Sequence, residues 1–126
     1  MIVYAVVLFY KKHEVILMSI MEKAKELGQE IVESTEYKKL KSAENDMHND
    51  KEAESLLSDF QAKQKQVQMM QTNGKIVSQQ LQQKIQSIQS KMQENPKIKS
   101  FMKAQENFNE VMKTINQTIS HQLQNS

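Results

Sequence analysis

Residues 95–120 read NPKIKSFMKAQENFNEVMKTINQTIS, and this stretch decides the fold. After Asn95-Pro96 the apolar side chains fall at Ile98, Phe101, Phe108, Met112, Ile115 and Ile119, three or four apart, with Gln105 interrupting them. That spacing lays a narrow stripe along a helix of roughly eight turns, and a two-per-seven stripe is built to lie against other helices. These residues are therefore the expected core or dimer contact. Gln105, flanked by Phe101 and Phe108, has two open readings. A polar residue in an apolar seam fixes register or partner number at some cost in stability. Alternatively the seam drifts there, because 3.6 residues per turn do not match a seven-residue repeat. Proline has no amide proton to lose at a first helical position and asparagine can cap it, so one helix starts at Asn95-Pro96 and the preceding one ends.

Upstream, Asn49 and Glu52 form a cap pair that starts a helix at Asp50, carrying Ala53, Leu56, Leu57, Phe60, Val67 and Met70. It meets Thr72-Asn73-Gly74, which marks either a break or a kink, since Val77, Leu81, Ile85, Ile88 and Met92 resume the stripe. The expected architecture is all-α: a long antiparallel helical hairpin, about 50–94 against 96–123. Two shorter helices precede it, one over residues 20–33 and one over residues 36–48, divided at Ser34-Thr35. Neither long arm can hide its stripe alone, which predicts a dimeric helical bundle.

Composition agrees. Two glycines, one proline and many Gln, Lys, Glu, Met and Leu residues describe helix, because unbranched side chains lose least rotamer freedom there. Only 38% of residues are hydrophobic and 6% aromatic, without tryptophan, and the mean hydropathy is −0.68. A single copy of 126 residues so composed buries little apolar area, and self-association or a partner is the remedy.

The opening run, Ile2 through Tyr10, is β-branched and aromatic and stops at Lys11-Lys12-His13-Glu14. It is too short for a membrane span, and extending it to Met21 would place Lys11, Lys12 and Glu14 in lipid. Three readings stay open: an element packed on the domain, a short membrane-touching anchor, or upstream sequence translated from an early start codon. The last is favoured, with Met18 or Met21 as the natural start, because Ser19 and Glu22 form a capping box. The expected organisation is an N-terminal extension over residues 1–18 and one helical domain over 19–126.

Chemistry is sparse. Absent cysteine removes disulfides, thiolate metal sites and thiol catalysis, and points to a cytoplasmic protein. His13, His48 and His121 have no metal-ligand spacing and read as surface residues. The cluster Glu44, Asp46, Asp50, Glu52 and Glu54 lacks the alternation and central glycine of a calcium loop, and suits helix ends better. No catalytic residue, cofactor site or metal site is expected, and the chain reads as no enzyme. The nine methionines, Met69 and Met70 among them, either fill gaps in an irregular core or line an adaptable surface.

Charge is uneven. Residues 1–60 carry twelve acids and eight lysines, whereas residues 61–126 carry three acids and nine lysines, and 61–93 hold no acid. Lys63, Lys65, Lys75, Lys84 and Lys91 in that stretch are the candidate contacts for RNA or DNA. Scattered lysines on a solvated, glutamine-rich face are the plainer reading. No arginine is present for bidentate phosphate or guanine contacts.

Several of these positions together resemble the YlbF/YmcA family of small helical bacterial proteins. The resemblance spans residues 22–122 and rests on Ala24-Lys25-Glu26-Leu27, Thr35-Glu36-Tyr37-Lys38-Lys39-Leu40, Asn49-Asp50-Lys51-Glu52-Ala53, Glu94-Asn95-Pro96-Lys97-Ile98 and Gln105-Glu106-Asn107-Phe108-Asn109. The ending Thr118-Ile119-Ser120-His121-Gln122 is most similar to the YmcA branch. The resemblance implies an all-helical homodimer or a heterodimer with a family paralogue. It also implies a complex with a third protein that modulates the endoribonuclease RNase Y, and hence mRNA maturation, competence, sporulation and biofilm formation. Some members carry a cysteine-bearing tail tied to iron–sulfur binding. This chain, without cysteine, would contribute no ligand to such a complex or belong to a branch outside it. A helical adaptor in an RNA-decay complex is thus the leading expectation, with a direct nucleic-acid binder and a purely structural self-associating coiled coil as alternatives.

Overall fold

The computed structural model describes residues 2–126 and is helical throughout: α1 (Ile2–Glu33), α2 (Thr35–Asn49), α3 (Lys51–Thr72), α4 (Gln79–Glu94) and α5 (Pro96–Gln124). No strand occurs among the described residues. The all-α expectation holds. The chain divides into two compact units, residues 1–38 and 39–126, with the division inside α2.

In the first unit α1 starts at Ile2, far upstream of the expected Ile20, so Ser19 and Glu22 lie inside the helix and form no cap. Nothing between residues 2 and 33 breaks a helix: proline is absent, and β-branched residues cost only a few tenths of a kcal/mol each. Gly28 is accommodated within α1 with nothing within 4 Å of a Cβ placed on it. The helix has no buried residue, and Ile2, Val3, Tyr4, Phe9 and Tyr10 are all strongly exposed. α1 ends at Ser34, as its sequence indicates. The Ser34 hydroxyl donates to the Ile31 carbonyl at 2.6 Å and accepts from the Tyr37 amide at 3.2 Å, closing one helix and capping the next.

In the second unit the expected first hairpin arm is folded in two, because the chain breaks at Gly74. This residue has φ of +71°, a left-handed conformation that glycine adopts without a Cβ penalty. Its amide donates to the Gln71 carbonyl at 3.1 Å, and the Lys75 amide donates to Met70 at 2.8 Å. That pair of bonds is the Schellman closure, which satisfies carbonyls left over at a helix end. Residues 75–78 are non-helical, and the Ser78 hydroxyl accepts from the Leu81 amide at 3.2 Å to start α4. α3 and α4 pack on each other, and α5 packs on α4. At the other end of α3 the cap is Asp50 rather than Asn49, with its carboxylate accepting from the Ala53 amide at 3.0 Å.

The core of this unit is small. Met47, Ala53 and Ile98 are buried together, and Leu56, Leu57, Met92 and Phe101 pack around them. It sits where the end of α2, the start of α3, the end of α4 and the start of α5 meet. Leu81 and Ile88 extend the buried surface along α4.

Candidate interaction surface

The α5 stripe is positioned by one residue. The Asn95 side chain accepts from the Lys97 and Ile98 amides at 3.0 and 3.1 Å, while its own amide donates to the Lys91 and Met92 carbonyls. It therefore ends α4 and begins α5 with no loop between them, and the start of α5 packs with the end of α4 and the start of α3. The apolar face of α4 carries Leu81, Ile85, Ile88 and Met92, spaced four, three and four apart, and Met92 packs with Ile98 and Phe101.

Burial along α5 falls from one end to the other. Ile98 is 1% exposed, Phe101, Phe108, Met112 and Ile115 are half-buried, and Ile119 and Leu123 are 49% and 70% exposed. Length explains the gradient. With 16 residues in α4 and 29 in α5, the helices span about 24 and 44 Å, so α4 can cover at most the first half of α5 and at least about 20 Å of α5 extends past it. Met112, Ile115, Ile119 and Leu123 continue the stripe over that length.

Gln105 is exposed, in a groove with Lys99, Met102 and Asn109, while Ala104 and Val111 are half-buried. The contact face of α5 thus follows 3.6 residues per turn and passes through Ala104. Ala104, Val111 and Leu123 are members that a search for a seven-residue repeat overlooks. Beside the open half, Asn109, Met112, Asn116, Ser120 and His121 line a second groove.

Of the candidate lysines, Lys91 is set apart from the other four. Lys63 is partly covered and reaches Asp59 at 3.3 Å. Lys65, Lys75, Lys84 and Lys91 are exposed, and Lys91 lies in the last turn of α4, whereas Lys75 and Lys84 are near its start. His48 holds Glu54 at 2.8 Å across the α2–α3 junction, with both side chains about half exposed. Among the described residues no group of three His, Cys, Asp or Glu is placed to hold a metal ion, and no helix is long and apolar enough to cross a membrane.

Comparison with known proteins fits this geometry. A UPF0342 protein of Desulfitobacterium hafniense is 34% identical over 106 residues, covering 84% of this chain and 81% of its own. One from Lactiplantibacillus plantarum is 34% identical over 107 residues, covering 85% and 94%. Among solved structures, a chain from the crystal structure of Bacillus subtilis RicA in complex with RicF matches with a TM-score of 0.72 at 18% identity, over 82% of this chain and 91% of that one. A DUF964 protein of unknown function from Bacillus stearothermophilus matches with a TM-score of 0.68 at 20% identity, over 84% and 93%. These two likenesses show the same fold. The model of the family described as control of competence regulator ComK, YlbF/YmcA, matches residues 20–124, from the middle of α1 to the end of α5, and this chain belongs to that family.

Proposed function

We propose that this protein is a non-enzymatic, cytoplasmic adaptor that works through helix-to-helix contacts, and that the open half of α5 is its principal contact. The observation that carries the reading is the fall in burial from Ile98 to Leu123 along one continuous apolar stripe. A stripe that continues past its intramolecular partner is a surface waiting for another helix. The family description adds a regulatory setting, and the RicA–RicF crystal structure is itself a complex of two proteins.

Magnitudes limit the arrangement. Fully burying an Ile or Leu side chain contributes about 1.5–3 kcal/mol. Ile119 and Leu123 from two chains, already part-buried, therefore supply roughly 4–7 kcal/mol, against an association cost of about 4–15 kcal/mol. The pairing must also engage Met112 and Ile115, in a homodimer or a heterodimer with a family paralogue. The finer role that fits is assembly into an RNA-decay complex that modulates RNase Y-dependent mRNA processing, and through it competence, sporulation or biofilm development.

Affinity capture of the tagged chain from its source cells, with and without nuclease, tests this. Recovery of family paralogues or an RNA-decay enzyme after nuclease treatment is the expected result. Partners lost with nuclease would favour direct RNA binding through Lys63, Lys65, Lys75, Lys84 and Lys91, and recovery of the chain alone would leave a self-associating structural protein.

A further inference from the structure

The tip where α3 gives way to α4 carries a surface separate from the α5 stripe. Met69 is 58% exposed and Ile76 is 92% exposed, the highest value for any large apolar residue among those described. Gln66, Met69, Met70, Asn73 and Lys75 line a groove on one side of the tip. A second groove reuses Gln66 and Met70 with Lys63, Ser78, Leu81 and Lys84, so the two are sides of one surface. Ile76 lies in the link between the two helices. The Schellman closure at Gly74 and the Ser78 cap fix both ends of the short link that bears it, and Val77 beside it is half-buried.

Around this apolar centre the charge is of one sign. Lys65 lies one turn before Met69, Lys75 adjoins Ile76, and Lys84 flanks the second groove. All three are exposed and make no ion pair among the described residues. No acid occurs between Asp59 and Glu94, and Asp59 is occupied by Lys63.

We propose that this tip docks an acidic segment of a partner protein with apolar side chains spaced among its carboxylates. The apolar side chains seat on Met69, Met70 and Ile76, and the carboxylates face Lys65, Lys75 and Lys84. This rests on the adaptor reading and adds a second contact to it. Charge complementarity selects the acidic partner, and the polarizable, unbranched methionines suit an apolar one. A nucleic acid fits less well. Residues 61–93 contain neither arginine nor an aromatic side chain on which a base could stack, and a phosphate backbone would leave Ile76 and Met69 uncovered.

Fluorescence anisotropy with the full chain tests the proposal, using three labelled probes: a helix-forming peptide of leucine and glutamate in a three-four repeat, poly-glutamate of equal length, and poly-uridylate. The leucine–glutamate peptide is expected to bind at least tenfold more tightly than either other probe. Ile76→Gln, and separately the Lys75→Glu/Lys84→Glu pair, are expected to weaken it at least tenfold with unchanged helicity and melting temperature. Equal binding of poly-glutamate would mean charge alone and overturn the proposal, as would tighter binding of poly-uridylate or an affinity unmoved by Ile76→Gln. A fall in molecular mass on Ile76→Gln would assign the tip to a second copy of the chain and overturn it too. Peptide binding lost in Phe108→Asp and kept in Ile76→Gln would place the peptide on α5. Failure of the α5 contact is read separately, from the mass of Phe108→Asp, and leaves the tip result standing.

Discussion

Asn95 and Ile98 form one structural device: the Asn95 side chain accepts the Ile98 amide proton at 3.1 Å, and Ile98, so anchored, is the largest fully buried side chain among the described residues. The cap fixes where α5 begins, and the start of α5 fixes which face meets Met47 and Ala53. Asn95→Ala is expected to lower stability by about 1–2 kcal/mol, and Asn95→Ser by much less, because serine also accepts from the amide two or three residues on. Urea denaturation with an unchanged slope checks this. Equal losses for the two variants would mean that the cap is not what matters at this position.

The two glycines are expected to respond with opposite signs. Gly74 has φ of +71° and nothing within 4 Å of the point where a Cβ would sit, so Gly74→Ala meets no clash and pays only backbone strain of about 1–2 kcal/mol. Gly28 lies inside α1 with the same open space, so Gly28→Ala is expected to raise helix stability by roughly 0.5–1 kcal/mol. Thermal melts followed by circular dichroism separate the two cases.

On α5, Phe108→Asp puts a charge on a half-buried apolar face and is expected to dissociate or unfold the protein. Ile119→Gln with Leu123→Gln is the milder counterpart, since both residues are largely exposed in the single chain. It is expected to lower the mass seen by light scattering while the helicity stays the same. If neither variant changes mass or helicity, α5 is not a contact surface.

The N-terminal half of α1 gives a prediction about solubility. α1 buries no residue, and the family match begins only at residue 20. Removing residues 1–18 is therefore expected to leave the melting transition of the remaining chain nearly unchanged. It should also reduce aggregation, because large exposed apolar patches drive non-specific association. A clear loss of stability would mean that these residues pack against something in solution.

How much was legible depended on whether a feature is local. Asn95-Pro96 and Ser34 could be read as helix boundaries because a cap needs only a side chain and an amide two or three residues away. The Ser19–Glu22 capping box failed for a related reason. A cap motif is only permission to start a helix, and the apolar run before it offered no breaker, so the helix continued to Ile2. At Gly74 the local signal allowed both a kink and a break, since the same stripe resumes after it. The choice went to the break, with the Lys75 amide closing on Met70 and α4 folding back on α3.

What the sequence by itself determined is therefore the helical class, most of the boundaries and the apolar stripe of α5, all set by residues within a turn or two of one another. Only the tertiary structure decided which part of that stripe is covered. Ile98 is buried because the start of α5 meets Met47 of α2 and Ala53 of α3, whereas Leu123 lies at the far end of a 29-residue helix that outruns the 16 residues of α4. The same holds for the tip. Met70 and Lys84 are separated by a helix end in the chain, and they come to line one groove because the left-handed turn at Gly74 brings α4 back against α3.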